Sequence, residues 1–443
     1  MIESTFFSRR TNVGIVLSNL FDGWRKDSLA QICYNIGQPD FDVCSRFWRL
    51  TKPAVIRASF GFPGCSALAP PDDQPGPPGS TTALLNSYDS RGTIEKLLGK
   101  TTAAIRTPIT EALFRLPTAL PRPLLKWIEH FSPEAVFSTL GNGLLLQLVC
   151  RVAQRRQLPI IPYFNDDWIE THYEGVLFRG LLRRSMRWWM DRCLERSPLR
   201  LVICRSMADE YHNRYGGGFE IMKHAVKATK LIAMGEKSNG EPVKMVYTGG
   251  LVPDRWQQLR DIAEALVRLD QNGVPARLCI YTDGASIRDH GNDLSFPPVV
   301  SVHEWIPYEE LQRVFQRADV LVHVESFDNV FRRWTRYSIS TKIADYLMSG
   351  RCLFAYGPAE GAALCSIQEN GAGVVVSRRD KVLLEEKLKE MLLNAAARAA
   401  CGERARKAAM REHEAVGQAE RFRQMICQAV DRHDQRSPRL RNG

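Results

Sequence analysis

The sequence predicts an α/β protein with two Rossmann-like, doubly wound domains that face each other across a cleft. The chain has 443 residues, which at roughly 100–200 residues per domain is too long for one ordinary core. Short apolar runs alternate with amphipathic segments, as in parallel sheets wrapped by helices. The stretch "MGEKSNGEP" (234–242) has the composition of a linker and divides the chain into two halves.

Four apolar runs of the first half are predicted strands: Val13–Ser18, Ala135–Gly141, Leu158–Phe164 and Leu199–Ser206. Helices are expected from Gly143 and from Val176 onward. The segment 69–81, rich in proline and glycine, is predicted to be a surface loop. These elements form a predicted first domain over residues 1–233.

The second half shows a cleaner succession of βα units. Its predicted strands are "VKMVYTGGL", "RLCIYTDG", "VVSVHEW", "ADVLVHVES", "CLFAYGP" and "GAGVVVS". Right-handed crossovers between them favour a doubly wound sheet. We predict a second domain over 243–414, a final helix at 415–433 and a tail at 434–443.

Composition and charge exclude several classes of protein. An apolar fraction of 44% and a charged fraction of 25% are typical of a soluble globular chain. The net charge of +11 favours an anionic partner, although a basic surface also serves solubility alone. The N-terminus lacks the apolar core of a signal peptide, and "GLLLQLVC" is far shorter than the ~20 residues of a spanning helix, so a cytoplasmic protein is expected.

Metal and cofactor motifs are not found in the sequence. The 11 cysteines contain no C-x-x-C pair, so neither a zinc site nor a disulfide framework is expected. There is no G-x-G-x-x-G between a strand and a helix and no Walker lysine loop, which argues against a nicotinamide cofactor. Asp40 and Asp42 could hold a metal, but they do not follow a predicted strand. We therefore expect no metal and no cofactor.

Three segments of the second half follow one another in the order "MVYTGGLVPDRW", "HEWIPYEELQRVFQRADVLVHVES" and "STKIADYLMSGRCLFAYGP". In this order they resemble the retaining group-one (family 4-like) glycosyltransferases of bacterial surface-polysaccharide assembly, which have the GT-B fold. A weaker likeness in the first half is carried by "GWRKDSLAQI", "PYFNDDW" and "SMADEYHNRYG". The resemblance implies transfer of a sugar from a UDP- or GDP-linked donor to a glycan or lipid-linked acceptor, with retention and without a metal. It also implies that the last helix crosses back to the first domain.

The start of the third segment has the chemistry of a phosphate site. A helix N-terminus offers unpaired N–H groups and a partial positive charge, to which Ser340 and Thr341 add hydroxyls and Lys342 adds a full charge. The resemblance implies that this turn meets the donor diphosphate. It also implies that Asp345, where the family usually has glutamate, holds the ribose hydroxyls.

The family's second carboxylate follows the strand in "ADVLVHVES", and two residues match it. Asp328 fits by its position after the strand and is the predicted catalytic carboxylate, while Glu325, three residues earlier, is a predicted donor ligand. An insertion of nine residues follows. Its three arginines either contact phosphates or face water: Arg332, Arg333 and Arg336.

The first loop of the second domain should hold the other cation. Where the family has an arginine and a lysine, this chain has Gly250 and Arg255. Arg255 and Lys342 are the cations expected to stabilise the departing diphosphate during catalysis. Gly249 and Gly250 are predicted to let the donor approach the backbone.

In the first domain, Gly23 follows the first predicted strand and is expected to let the donor approach closely. Asp166 and Asp167 follow another strand. They either bind an acceptor hydroxyl or cap the next helix.

The segment "FRGLLRRSMRWWMDRCLER" combines arginines and tryptophans, as helices at anionic membrane surfaces do, although such tryptophans are often core. Peripheral contact at the inner face of the plasma membrane is one expectation. A non-catalytic nucleotide-binding protein of the same fold remains an alternative, because Gly250 replaces an arginine. Nucleic-acid binding is not expected, because the cations are spread over the chain and no recognised motif is present.

Overall fold

A computed structural model describes residues 1–3, 5–8, 12–33, 39–50, 66–68, 120, 122–173, 176–228 and 241–436. The predicted loop at 69–81, most of the predicted linker and the end of the chain lie outside these residues. The described strands of the first half are β1 Ile2–Glu3, β2 Ala30–Cys33, β3 Arg46–Arg49, β4 Ser66–Leu68, β5 Val136–Ser138, β6 Ile160–Phe164, β7 Leu201–Val202 and β8 Glu220–Ile221. Its helices are α1 Asn12–Leu20, α2 Arg122–Phe131, α3 Gly143–Arg156, α4 Arg179–Glu195 and α5 Arg205–Tyr215.

The strands of the second half are β9 Val243–Thr248, β10 Ala276–Thr282, β11 Val300–Glu304, β12 Val320–Val324, β13 Cys352–Tyr356 and β14 Gly373–Val376. Its helices are α6 Arg255–Gln271, α7 Gly284–Leu294, α8 Tyr308–Arg317, α9 Asn329–Thr335, α10 Thr341–Met348, α11 Ala362–Glu369, α12 Lys381–Leu393, α13 Ala395–Glu412 and α14 Ala415–Arg436. Strands and helices alternate through this half, as the sequence predicts.

The first domain contains two four-stranded sheets that adjoin at their edges. One has the order β1-β2-β3-β4, in which only the β3–β4 pair is antiparallel, and the other has the parallel order β5-β6-β7-β8. Glu3 of β1 accepts hydrogen bonds from the backbone N–H and the hydroxyl of Thr139, just after β5, at 2.5 and 2.7 Å. The two sheets therefore meet edge to edge.

The second domain is a six-stranded parallel sheet with the order β11-β10-β9-β12-β13-β14. Every residue of β12 and β13 is buried, as expected for parallel strands covered on both faces. The strand order reverses between β9 and β12. In such sheets the crevice for a ligand opens at the carboxyl ends of these two strands. The predicted α/β class with parallel sheets in two domains is confirmed.

The last helix packs on the first domain. Phe422 of α14 contacts Phe21 and Phe137, with ring centroids 5.0 and 5.4 Å apart. Just before this helix, the carbonyl of His413 accepts a hydrogen bond at 2.8 Å from the backbone N–H of Val226. The chain thus leaves the second domain at α13 and ends against the first.

The prediction of a strand at Val13–Ser18 is wrong, because this stretch lies within helix α1. An almost uniformly apolar run carries no period that separates a helix from a strand. In the fold, Leu17 and Leu20 are buried, and α1 packs against α14 more than 390 residues later in the chain. A local sequence pattern cannot reveal a contact between elements so far apart in the chain.

The predicted strand at Leu199–Ser206 is shorter than expected, because only Leu201–Val202 is extended and α5 begins at Arg205. Among the described residues, no helix combines the length and the apolar character needed to cross a bilayer.

Candidate active site between the two domains

A cavity of about 350 Å³ lies between the domains, beside the carboxyl ends of β9 and β12. Its walls come from both halves of the chain. Lining residues are Asp166, Asp167, Trp168, Thr171, Pro253, Arg255, Glu325, Trp334, Thr335, Ser338, Ile339 and Ser340. The topological switch point and the cavity therefore coincide.

An arginine–carboxylate pair forms the base of the second-domain wall. Arg255 is the first residue of α6, and Glu325 directly follows β12. Nη2 of Arg255 donates to both carboxylate oxygens of Glu325 at 3.0 and 2.9 Å, and Nε donates to Oε2 at 3.3 Å. Among the hydrogen bonds of the described residues, the remaining Nη1 of Arg255 makes one, to the carbonyl of Val252 at 3.3 Å. One N–H of that nitrogen thus has no described partner, and Arg255 lines the cavity.

Glu325 is ionised at neutral pH. Burial would raise the pKa of its carboxyl, but the charge of Arg255, followed by a hydrogen bond from His323 and the charge of Lys342, outweighs burial and lowers the pKa to about 2. Nε2 of His323 lies 3.3 Å from Oε1 of Glu325. A carboxylate held in this way orients its arginine and does not exchange protons near pH 7.

Lys342, the second residue of α10, reaches the carboxyl end of β9. Its ammonium donates to the carbonyl of Thr248 at 2.9 Å and lies 4.2 Å from the centre of the Tyr247 ring. Burial, followed by the charge of Arg255, lowers the pKa of Lys342 well below its usual value, while Glu325 opposes this shift. An anion bound beside Lys342 would reverse the shift.

Gly249 is required by this arrangement. Its φ of +134° is rarely adopted by residues with a side chain, and a Cβ atom there would lie 3.1 Å from Nζ of Lys342. At Gly250 an added Cβ would meet only Oδ2 of Asp283, at 3.9 Å. The two adjacent glycines are therefore unequal: the first is needed by the fold of the loop, and the second leaves open space.

The N-terminus of α10 faces the cavity through Ser340. Ser340 is the N-cap residue, but its hydroxyl makes no capping hydrogen bond, and Thr341 begins the helix. The first N–H groups of α10 therefore have no capping side chain, and this positive end of the helix lies at the cavity that Arg255 also lines, whereas Lys342 is not among the lining residues.

The two adjacent aspartates of the first-domain wall differ sharply. Asp167 is buried and accepts hydrogen bonds from Nη1 and Nη2 of Arg214 at 2.8 and 2.9 Å, and from the hydroxyl of Tyr211 at 3.2 Å. Arg214 in turn donates to Glu210 at 2.5 Å. The described donors to Asp167 thus all belong to its own domain.

Asp166 instead faces the cleft. Enclosure by the two walls raises the pKa of its carboxyl; the Ser338 hydroxyl across the cleft and Arg255 oppose that rise, and the charge of Glu325 adds to it. Of the two predicted acceptor ligands, the structure therefore leaves Asp166 available and encloses Asp167.

Asp345 lies one turn into α10, as predicted, but it does not line the cavity. Its Oδ1 accepts hydrogen bonds from the hydroxyl of Tyr308 at 2.6 Å and from Nε2 of Gln312 at 2.9 Å. Burial raises the pKa of this carboxyl to about 6, although both donors act in the opposite direction. No cation pairs with it among the hydrogen bonds and ion pairs of the described residues.

Two predicted residues lie elsewhere. Asp328 is exposed and caps α9, where its Oδ1 accepts from the N–H of Val330 at 2.8 Å. Gly23 has a φ of +79° in an exposed turn after helix α1, so its supposed position after a strand was wrong. Neither lines the cavity. Asp40 and Asp42 lie together in a turn, and the described residues contain no cluster arranged to hold a metal ion.

The insertion after β12 forms helix α9 and contributes an aromatic side chain that was not predicted. Arg332 pairs with Glu360, Arg336 lies 5.0 Å from the centre of the Tyr337 ring, and Arg333 is exposed. None of these arginines lines the cavity. Trp334 does, on the opposite wall from Trp168, whose indole N–H has no partner among the described residues. The tryptophan inside the insertion was the sequence feature that could have predicted an aromatic residue at the cavity.

Comparison with known proteins agrees with this architecture. Residues 260–424 match the family described as glycosyl transferase-like. HepE of Anabaena in complex with UDP-glucose superposes with a TM-score of 0.57 and 9% sequence identity, covering 96% of this chain and 98% of that one. The chain has the GT-B fold. WaaG, a glycosyltransferase involved in lipopolysaccharide biosynthesis, gives a TM-score of 0.55 at 11% identity over 96% of this chain and 98% of its own.

Sucrose-phosphate synthase from Thermosynechococcus elongatus has the same fold, with a TM-score of 0.55 and 12% identity over 73% of this chain and 80% of its own. No curated protein matches the chain in sequence. At identities this low the solved structures establish the GT-B fold, and the chemistry has to be argued from the residues of the cleft.

Proposed function

We propose that the protein is a glycosyltransferase that moves a sugar from a UDP- or GDP-linked donor to a glycan or lipid-linked acceptor. The observation that carries the proposal is the grouping of Arg255, Glu325 and Lys342 at the switch point of the parallel sheet, beside the uncapped start of α10. A nucleotide-sugar donor places two phosphates where such a group of cations and N–H donors can bind them.

The same cations account for the chemistry. When the glycosidic bond to the donor breaks, negative charge develops on the departing diphosphate, and groups already oriented toward it stabilise that charge. Glu325 holds the guanidinium of Arg255 in place, while Lys342 and the N-terminus of α10 supply two further positive groups. We therefore propose that transfer does not need a divalent cation, and EDTA should leave the rate unchanged.

The acceptor would enter from the side of Asp166. This carboxylate can accept a hydrogen bond from a sugar hydroxyl, and the tryptophans on the two walls, Trp168 and Trp334, offer apolar ring faces to a sugar ring. HepE binds UDP-glucose, and WaaG acts in lipopolysaccharide biosynthesis. By analogy of fold we propose a role in assembling a cell-surface polysaccharide in the cytoplasm.

We propose that the transfer retains the anomeric configuration, as the resemblance of the second-half segments to retaining glycosyltransferases implies. The acceptor hydroxyl would attack from the face that the diphosphate leaves. Proton NMR of the first product formed from a donor of known configuration tests this. An inverted product would instead make Asp166 the base that activates the acceptor.

The decisive experiment is a screen of UDP, GDP and their sugars by thermal shift, followed by turnover with the donors that bind. A ligand at 100 times its Kd should stabilise the protein by about 2.7 kcal/mol. If no nucleotide shifts the melting curve, the donor site is wrong. If nucleotides bind but no nucleotide sugar is turned over with any glycan or lipid-linked acceptor, the protein is a binding module of the same fold.

A further inference from the structure

An apolar cluster stands out on the surface of the first domain. Four large side chains around the start of α4 are exposed: Leu177 by 53%, Phe178 by 69%, Leu181 by 66% and Trp188 by 48%. Leu177 and Phe178 directly precede α4, and Leu181 and Trp188 lie two turns apart on its outer face, whereas Leu182, Met186 and Trp189 on its inner face are buried. We call these four residues the α4 apolar cluster.

Positive charge surrounds this cluster. Helix α4 contains five arginines against one aspartate and one glutamate. Arg179 and Arg184 are exposed and form no ion pair with a described residue, and the guanidinium of Arg192 lies 4.0 Å from the centre of the Trp188 ring. Apolar side chains flanked by arginines, with an indole between them, are the composition of a helix that lies in the interface of an anionic bilayer.

We propose that the α4 apolar cluster inserts into the headgroup region of an anionic membrane, with Arg179 and Arg184 contacting the lipid phosphates. The four side chains are 48–69% exposed and extend from the residues before α4 to its middle, so they suit a fluid surface better than a partner protein that must match their shape. A nucleic acid would use the arginines but would leave the leucines and Phe178 in water.

The cluster is tied to the acceptor side of the cleft. Nη2 of Arg187 on α4 donates to the carboxylate of Glu170 at 2.9 and 3.0 Å, and Nε of Arg183 donates to the carbonyl of His172 at 3.0 Å. Both acceptors belong to the segment that continues from Asp166 along the cavity wall. A bilayer on α4 would thus bring a lipid-linked acceptor beside the cavity, a consequence that rests on the proposed function, whereas the membrane contact itself does not.

The test is sedimentation of the full chain, without nucleotide, with sucrose-loaded vesicles of phosphatidylcholine alone or with about 30% phosphatidylglycerol, the anionic lipid that should attract the arginines. We expect binding to the anionic vesicles only. Leu181→Ser should lower the partition coefficient about ten-fold, because it removes one inserted apolar side chain. Arg184→Gln should lower it about five-fold through the lost attraction to anionic lipid.

Two matched controls separate insertion from general attraction of a basic protein. Leu393→Ser removes a leucine that is 64% exposed on α12 of the second domain, and Arg313→Gln removes an exposed arginine of α8. Both should bind vesicles as the parent does. Equal losses in the α4 variants and the controls would overturn the proposal, as would binding that Leu181→Ser leaves unchanged.

The other occupants of this surface give distinct results. A dimer in analytical ultracentrifugation that Leu181→Ser dissociates, with no vesicle binding, would assign the cluster to a second copy of the chain. Binding to duplex DNA that Arg184→Gln weakens, again without vesicle binding, would assign the arginines to nucleic acid. Either result overturns the membrane proposal, and neither bears on whether nucleotide sugars bind in the cleft.

Discussion

The two walls of the cleft each contain a buried carboxylate held by an arginine, yet the two pairs are not equivalent. In the first domain, Arg214 donates to Asp167 through two nitrogens and to Glu210 through the third, while Tyr211 fills a further site on Asp167. In the second domain, Arg255 engages Glu325 along one edge only.

The difference shows how the same chemical pair serves two purposes. A buried ion pair whose arginine lies away from the cavity, as Arg214 does, has nothing to offer a ligand there and fixes the fold locally. A pair whose arginine lines the cavity, beside Lys342 and a helix N-terminus, can bind an anion. We therefore propose a structural role for Arg214–Asp167 and donor binding for Arg255–Glu325.

The largest expected effect separates these two pairs. Arg255→Lys should lower kcat/KM for the nucleotide sugar by about 10²–10³-fold. A lysine ammonium lacks the planar group of donors that lets the guanidinium pair with Glu325 and contact the diphosphate at the same time. Arg214→Lys is the matched control. It should lower the melting temperature yet leave kcat/KM within about two-fold. Similar losses of activity in both variants would erase the distinction between the walls.

Asp345 provides the next test, because it is a buried carboxylate whose hydrogen-bond donors, Tyr308 and Gln312, are neutral. If it holds the ribose hydroxyls, Asp345→Ala should weaken nucleotide binding about ten-fold or more, as measured by calorimetry. The affinity of Asp345→Asn should lie between those of the parent and the alanine variant. Unchanged binding of UDP and GDP by the alanine variant would make Asp345 a structural residue like Asp167.

The stability of the ligand-free protein gives an independent readout for Asp345. Its pKa of about 6 in the folded protein is above the ordinary 3.8, so between these values the folded state binds more protons than the unfolded state. Stability therefore falls as the pH rises toward 6. Asp345→Asn should remove this slope and stabilise the protein near neutral pH, by about 3 kcal/mol at most. A variant that is less stable than the parent under those conditions would contradict this.

The two adjacent glycines of the donor loop should respond differently. Gly249→Ala forces a side chain into a positive-φ conformation and toward Lys342, so we expect a loss of about 1–3 kcal/mol in unfolding free energy and weaker nucleotide binding. Gly250→Ala meets only Oδ2 of Asp283, at an ordinary contact distance of 3.9 Å, and should change both quantities little. If the two variants behave alike, the loop does not belong to the donor site.

The smallest expected effect is the uptake of a fraction of a proton when a nucleotide binds. Burial lowers the pKa of Lys342, and a bound diphosphate should raise it, so nucleotide binding should take up protons and weaken as the pH rises through the pKa of the free enzyme. Calorimetry in HEPES and in Tris, over the pH range that both buffers cover, should show the uptake as a buffer-dependent enthalpy. Lys342→Arg should bind without it. A persisting buffer dependence in that variant would assign the proton to another group.

The second domain was largely predictable from its sequence. Buried parallel strands read as continuous apolar runs between helices, so β9 to β14 could be placed, and the residue types at the polar start of α10 were enough to indicate a phosphate site. The first domain was harder. In its apolar helix α1 the spacing of apolar residues shows no helical period, and its shortest strands have two residues.

Within the site, the sequence by itself determined which chemical groups are available: Arg255, Glu325, Lys342 and the aspartates at the ends of strands. Only the tertiary structure decided their state. It pairs Arg255 with Glu325 across 70 positions of the chain, closes Asp167 against Arg214 across 47, and directs Asp345 toward Tyr308 across 37. Local pattern records a residue's type and its face on a helix or strand. Which buried charge is already satisfied depends on contacts between distant elements, and this separates a ligand group from a structural one.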